Sequence, residues 1–386
     1  MKRLYSISFL LILALSFGGC ALLQPLQKSQ IISVFHLIET AKYNEAKGVV
    51  DEMINNEESA EWARVWYARG LLSQTAYREG IKKNDKKLYE LYPEQLYVAF
   101  DSYERAVELD KRGRLEKQLK PNYVLLVNDL QSLGEREFKA GKYPEALKAF
   151  EHALCITDLV DQSKDQDTAL VYNAALAAYE GDNWAKAKEH LGRLHSIRYS
   201  VNVTHLFFNA QLNAGDTLAA QRALEEGIDF FEEDEILVLL LADLQVRLGE
   251  PDQAIGVLDA AIARSPENAV YHNTKGLIYQ KNEAYQDAIT AYEQAIALDP
   301  DDLMAFLNIA TSYYNIGVEI EEGTLTMTNI YLVQREKEKS ALALESAVEW
   351  LDKVYEKEPT DPEVRNRMYE LYRVLRINEK VISLED

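Results

Sequence analysis

Pro266 and Pro300 stand 34 residues apart, and the residues ahead of each play matching parts. Ala288, Tyr292 and Ala295 precede Pro300, spaced by four and then three. Ala254, Leu258 and Ala261 precede Pro266 in the same way, and Ala220, Leu224 and Gly227 stand one unit earlier. Such spacing puts each trio on one face of a helix. A proline five residues past the last member of the trio stops that helix, because it has no N–H and disfavours helix in the residue before it. A unit this short cannot bury its apolar face alone. It needs a copy of itself on either side, so the chain must grow by stacking rather than around one central core.

The least altered copy is Ala269 to Pro300. Gly276, Leu277 and Tyr279 mark one face of its first helix, Asn282 to Tyr285 form a polar turn, and Ala288, Tyr292 and Ala295 line the second helix. Gly276 and Ala288 let the two backbones approach, and Tyr292 fills the space beyond them. Leu241, Gly249, Ala254, Leu258 and Ala261 repeat these roles, as do Phe207, Gly215, Ala220, Leu224 and Gly227.

The period and the columns resemble the tetratricopeptide repeat (TPR). The resemblance implies an all-α chain, a right-handed α-solenoid of about eight TPR helix hairpins with a C-terminal capping helix. Residues 31–110 hold two worn repeats with an insertion at 79–94. The regular array spans 121–300 after a charged linker, Lys111 to Lys120. Residues 301–376 hold a last repeat with an insertion at 318–342 and the capping helix, marked by Val364, Met368, Leu371, Tyr372 and Leu375; 377–386 are a tail. In the last repeat the second-helix signals come late, and Ile330 to Lys357 reads as one long helix.

Residues 1–19 read as a signal rather than as fold. Lys2 and Arg3 precede an apolar run, Ile7 to Phe17, too short to span a bilayer comfortably. Gly18-Gly19-Cys20 resembles a bacterial lipobox, which implies cleavage before Cys20 and acylation of it, with residues 20–30 as lipidated cysteine and tether. Phe17 departs from the usual Leu, and Ala21 stands where an inner-membrane retention Asp can occur. The expected location is the bacterial cell envelope, lipid-anchored on the outer membrane and facing the periplasm.

Formal net charge is −21, falling to −23 once Lys2 and Arg3 are removed. That argues against nucleic acid as a direct partner. With two cysteines, Cys20 and Cys155, no disulfide framework is expected, and Cys155 reads as a small buried filler. The six histidines show no ligand spacing, and no nucleophile or phosphate-loop motif occurs, so no enzyme, cofactor or metal site is expected.

Binding is what the resemblance implies, with protein or peptide segments lying on the first helices of successive repeats. The residues in groove-facing register are Tyr172, Tyr179, His205, Asn209, Asp243, Asn273, Leu277, Asn308 and Thr311. The asparagines can pair with a peptide backbone as donor and acceptor. Lys82, Lys83, Lys86 and Lys87 make the first insertion a basic loop, either merely solvated or a dock for an acidic partner. The leading expectation is a membrane-anchored scaffold for protein–protein contacts. A glycan- or nutrient-binding lipoprotein and a purely structural spacer are the alternatives.

Overall fold

The computed structural model describes residues 29–160, 167–232, 234–357 and 362–374. Among them every regular element is helical, and the fold is an all-α stack of hairpins. The signal, Cys20 and most of the tether lie outside the described residues, as do Leu375 and the tail. The chain divides into two compact units between Ile197 and Arg198, inside the stretch expected to be one regular array.

The first unit holds four hairpins. They are α1 (29–39) with α2 (Tyr43–Asn55), α3 (Ala63–Lys83) with α5 (Gln95–Leu109), α6 (Leu115–Lys139) with α7 (Tyr143–Val160), and α8 (Thr168–Glu180) with α9 (Trp184–Ser196). A short α4 (Lys86–Tyr89) interrupts the second pair. The charged stretch ahead of Pro121 is not a linker. α6 begins at Leu115, with Leu115 and Leu119 buried, and passes through Pro121. Leu115, Leu119, Tyr123, Leu126 and Leu130 form one buried stripe at steps of three and four. Pro121 is exposed, so the carbonyl its missing N–H leaves free faces water. Asp110 accepts from the backbone N–H of Leu115 at 2.6 Å and holds the start of α6.

The first insertion is folded, not a solvated loop. Asn84 closes α3 in the left-handed conformation, φ 52°. The Gln95 amide then clamps the return strand of chain, donating to the Ser73 carbonyl at 2.8 Å and to the Leu88 carbonyl at 3.0 Å. Tyr92 is buried, and its hydroxyl donates to Asp51 at 3.0 Å.

The second unit holds α10 (Val201–Asn213) with α11 (Thr217–Phe230), α12 (Glu235–Arg247) with α13 (Pro251–Arg264), α14 (Ala269–Lys281) with α15 (Tyr285–Leu298), and α16 (Leu303–Thr324) with α17 (Ile330–Lys357). The closing α18 (Pro362–Val374) puts Met368 and Tyr372 against Phe306, Leu307 and Ala310 of α16. Two columns show why the period is 34. Ser200, Asp234, Asn268 and Asp302 each accept a backbone N–H of the helix they start. Gly215 and Gly249 end the first helices at φ 80° and 78°, where a left-handed residue reverses the chain. The next copy uses Glu283 there, at φ 63°.

The second insertion carries the long helix expected at Ile330 to Lys357. It lengthens both helices of its hairpin: α16 has 22 residues and α17 has 28, against 13 and 14 in the pair before it. The turn itself is only residues 325–329.

Candidate peptide-binding face

In the second unit, the first helices α10, α12, α14 and α16 repeat every 34 residues, so equivalent positions form columns. One column is His205, Leu239, Asn273 and Leu307. It leans on the caps of the following helices. Asn273 Nδ2 donates to Asp302 Oδ2 at 3.0 Å, while Asp302 Oδ1 accepts from the Met304 and Ala305 backbone. His205 Nε2 lies 3.8 Å from Asp234 Oδ1, the carboxylate that caps α12. Asn273 therefore braces successive repeats with its Nδ2, while its Oδ1 and the His205 Nε2 are buried without a hydrogen-bond partner.

The column one turn further on is Asn209, Asp243, Leu277 and Thr311, and this one is open. Asn209 and Thr311 are half-buried, Asp243 is exposed and pairs with Arg247, and Leu277 is 46% exposed. Leu277 was placed beside Gly276 on a packing face as well as in the groove register; the buried neighbour is instead Ile278. Asn308 does not belong to the face. It is 6% exposed and packed inside α16, because it stands 35 residues after Asn273 and so falls about 100° round from the column.

Two residues of this face escaped the sequence reading. Ile236 and Val270, 34 apart, are 53% and 42% exposed, at the starts of α12 and α14. They stand seven residues before Asp243 and Leu277, hence on the same helix face. Their spacing was the available signal, but β-branched residues in a repeat read as core. The face thus carries apolar contact area at Ile236, Val270 and Leu277 and hydrogen-bonding groups at Asn209 and Asp243.

Tyr172 and Tyr179 lie on α8, in the first unit, apart from the other four primary candidates. Both are half-buried, and the Tyr179 ring packs edge-on to Trp184 at 5.4 Å. Of the insertion lysines, all four are exposed. Lys83 pairs with Glu79 at 2.8 Å and Lys86 with Glu90 at 3.6 Å, so part of the basic charge is matched locally.

The first unit contains two larger cavities. One of about 480 Å³ is lined by Tyr77, Tyr89, Tyr92, Tyr97, Leu133 and Arg136. Another of about 410 Å³ is lined by Phe100, Leu147, Glu151, His152, Cys155 and Gly181. Cys155 is exposed at its rim, not a buried filler: Ala153, Leu154 and Ile156 take the buried positions of α7 and leave residue 155 between them. Partial burial, then the nearby Glu104 and Asp158, push its thiol pKa up, the opposite of what an attacking thiolate needs. His190 is buried with Nε2 3.3 Å from Glu151; burial lowers its pKa and keeps it neutral. Among the described residues no group of three His, Cys, Asp or Glu is placed to hold a metal, and no helix is long and apolar enough to cross a membrane.

The columns described above coincide with the tetratricopeptide repeat family model, which matches residues 205–269, 239–303 and 273–317 in overlapping copies. The chain carries tetratricopeptide repeats there. It is similar to the TPR repeat-containing protein YpiA of Bacillus subtilis, 23% identical over 243 residues, which is 63% of this chain and 54% of that protein. It is also similar to the human PEX5-related protein, 30% identical over 128 residues, 33% of this chain and 20% of that one. The chain thus spans about half or less of the curated relatives it matches. Among solved structures, a TPR repeats protein from Bacteroides fragilis aligns at TM-score 0.37 and 17% identity, covering 64% of this chain and 98% of that one. YrrB, described as a TPR protein with an unusual peptide-binding site, aligns at TM-score 0.34 and 17% identity, covering 53% and 92%.

Proposed function

We propose that this protein is a membrane-anchored scaffold that holds an extended or helical protein segment on the first-helix face of its second unit. The observation that carries this reading is the open stripe of Ile236, Val270 and Leu277 flanked by Asn209 and Asp243. Exposed aliphatic side chains repeated at one structural period can take apolar side chains of a ligand at regular intervals, and an amide beside them can pair with its backbone. The acidic composition favours a segment carrying Lys or Arg. Anchoring is proposed from the sequence, through acylation of Cys20 after the Ile7 to Phe17 run, in the envelope of a bacterium and on its outer membrane facing the periplasm.

The test selects peptides from a random display library on the purified chain and measures their affinity. Ile236→Ser with Leu277→Ser is expected to weaken binding at least tenfold, about 1.4 kcal/mol, while melting shifts less than for a core substitution because each residue is about half exposed. Unchanged affinity in that variant rejects the face. Cys20→Ser tests the anchor separately: if the variant still fractionates with membranes like the natural chain, acylation is not what holds it.

A further inference from the structure

The end of the α16–α17 hairpin is the most apolar exposed surface of the second unit. Leu325, Met327, Ile330, Tyr331 and Leu332 are 83%, 40%, 76%, 85% and 41% exposed within eight residues. No charged residue occurs from Gly323 to Gln334. The hairpin is packed up to Gly317 and Ser340, whose hydroxyl donates to the Gly317 carbonyl at 2.8 Å. Beyond that point the two helices continue, and at 1.5 Å per residue α17 is about 20 Å longer than α15. The arm therefore ends in a convex apolar tip.

Several backbone groups of this tip are paired from within. Leu325 N–H donates to the Glu322 carbonyl at 3.0 Å, and Met327 N–H to the Thr324 carbonyl at 3.1 Å. Asn329 Oδ1 accepts from Tyr331 N–H at 3.0 Å and Leu332 N–H at 3.3 Å, and Val333 N–H donates to the Asn329 carbonyl at 3.0 Å. The Thr326 hydroxyl donates to the Gly323 carbonyl at 3.2 Å. Each group so paired lowers the cost of entering a medium without water, where an unpaired backbone group costs several kcal/mol.

We propose that this tip inserts into the interfacial layer of a lipid bilayer, as a second point of membrane contact besides the acylated N-terminus. Tyr331, with an apolar ring and a polar end, suits the headgroup boundary. Glu319, Glu321 and Glu322 stand just behind the tip on α16, and the whole chain is acidic, so the bilayer it enters is zwitterionic rather than anionic. Insertion is driven by apolar transfer and is insensitive to salt. The inference leans on the membrane-tether reading for proximity, since one small apolar tip alone binds weakly and two signals are needed for stable attachment.

The test supplies the tether artificially, so that a failure of acylation does not touch it. The full chain with Cys20→Ser, Cys155→Ser and Met327→Cys carries a polarity-sensitive fluorophore at position 327. A histidine tag at its N-terminus holds it on phosphatidylcholine vesicles containing a nickel-chelating lipid. The label is expected to brighten severalfold, shift to the blue and be quenched by acyl-chain nitroxides, in low and high salt alike. The same label at Asp243→Cys is expected to stay water-like. Ile330→Ser with Tyr331→Ser in the labelled chain is expected to return position 327 to the water value. A label at 327 that remains water-like on the tethered chain overturns the proposal, and so does quenching that survives the double serine substitution. If the tip inserts here yet the natural chain with Cys20→Ser still fractionates with cell membranes like its parent, the acylation reading fails alone.

Discussion

The Tyr292 hydroxyl donates to Gln280 Oε1 at 2.8 Å, and the same ring packs against Gly276, one helical turn before that glutamine. The first unit repeats the arrangement with Tyr103, Gln74 and Gly70, again at 2.8 Å. Where the ring is Phe150, over Gly134, there is no hydroxyl to satisfy, and the position four residues on is Phe138 rather than glutamine. Glycine, ring and amide thus form one packing device that keeps the two helices of a hairpin close.

Gly276→Ala would place its Cβ 2.5 Å from Tyr292 Cε1 and 2.6 Å from Cδ1, well inside contact distance. We expect a loss of about 1–3 kcal/mol, read as a lower urea midpoint. Adding Tyr292→Leu should recover part of it, because the clash disappears with the ring. Tyr292→Phe alone should cost about 1 kcal/mol, by leaving Gln280 Oε1 without its donor.

Asp129 is 16% exposed, and burial raises its pKa to about 6 despite a hydrogen bond from Gln74 and the nearby positive charge of Arg78. An unfolded aspartate titrates near pH 3.9. Between these values the native chain holds a proton that the unfolded chain has released, so stability falls as pH rises from about 4 to 6 and stays low above. Asp129→Asn should therefore stabilise the protein by roughly 1–2 kcal/mol at pH 7.5 and make little difference at pH 4. Urea midpoints at the two pH values check this, and an equal shift at both contradicts it.

Glu283 sits at φ 63° where the equivalent turns have Gly215 and Gly249. A non-glycine residue pays about 1–2 kcal/mol for that conformation, partly offset by the chain entropy glycine loses. Glu283→Gly should raise the thermal midpoint, with a gain of about 0.5–1 kcal/mol, and Gly249→Ala should lower it by a similar amount.

Asp302 caps α16 through two backbone N–H groups and also receives Asn273. Asp302→Ala should cost about 1–2 kcal/mol, more than Asn273→Ala. In a double-mutant cycle the two should couple by about 0.5–1.5 kcal/mol; strict additivity would mean that the 3.0 Å contact contributes nothing.

Cys155 is exposed with a raised pKa. In the folded protein it should react fully but slowly with a disulfide reagent at pH 7. The rate should climb with a midpoint above the ordinary thiol range.

Several features were legible in the chain because they depend on neighbours at fixed spacing. The hairpins, the apolar columns and the long helix Ile330–Lys357 all follow from recurrence at three, four and 34 residues. By charge Lys111 to Lys120 reads as a linker, but the stripe through Leu115 and Leu119 makes helix there and outweighs one missing backbone bond at Pro121 on an exposed face. Asn308 was taken for a groove residue, although one position of register turns a side chain from open face to core. Cys155 reads as core from its place in the apolar stretch of a helix, although its neighbours already fill the buried positions.

The sequence by itself determined that this chain is a stack of helical pairs, because a 34-residue period leaves an apolar face that only another copy can cover. It also marked the Cys20 region, whose role rests on sequence alone. Only the tertiary structure decided which polar residues of the first helices brace the next repeat and which are open. That depends on contacts between residues about 30 apart, such as Asn273 with Asp302. It likewise showed that the insertion after Gly317 is a paired helical arm. An isolated apolar turn has no preferred surroundings until the helices behind it set it apart from the core.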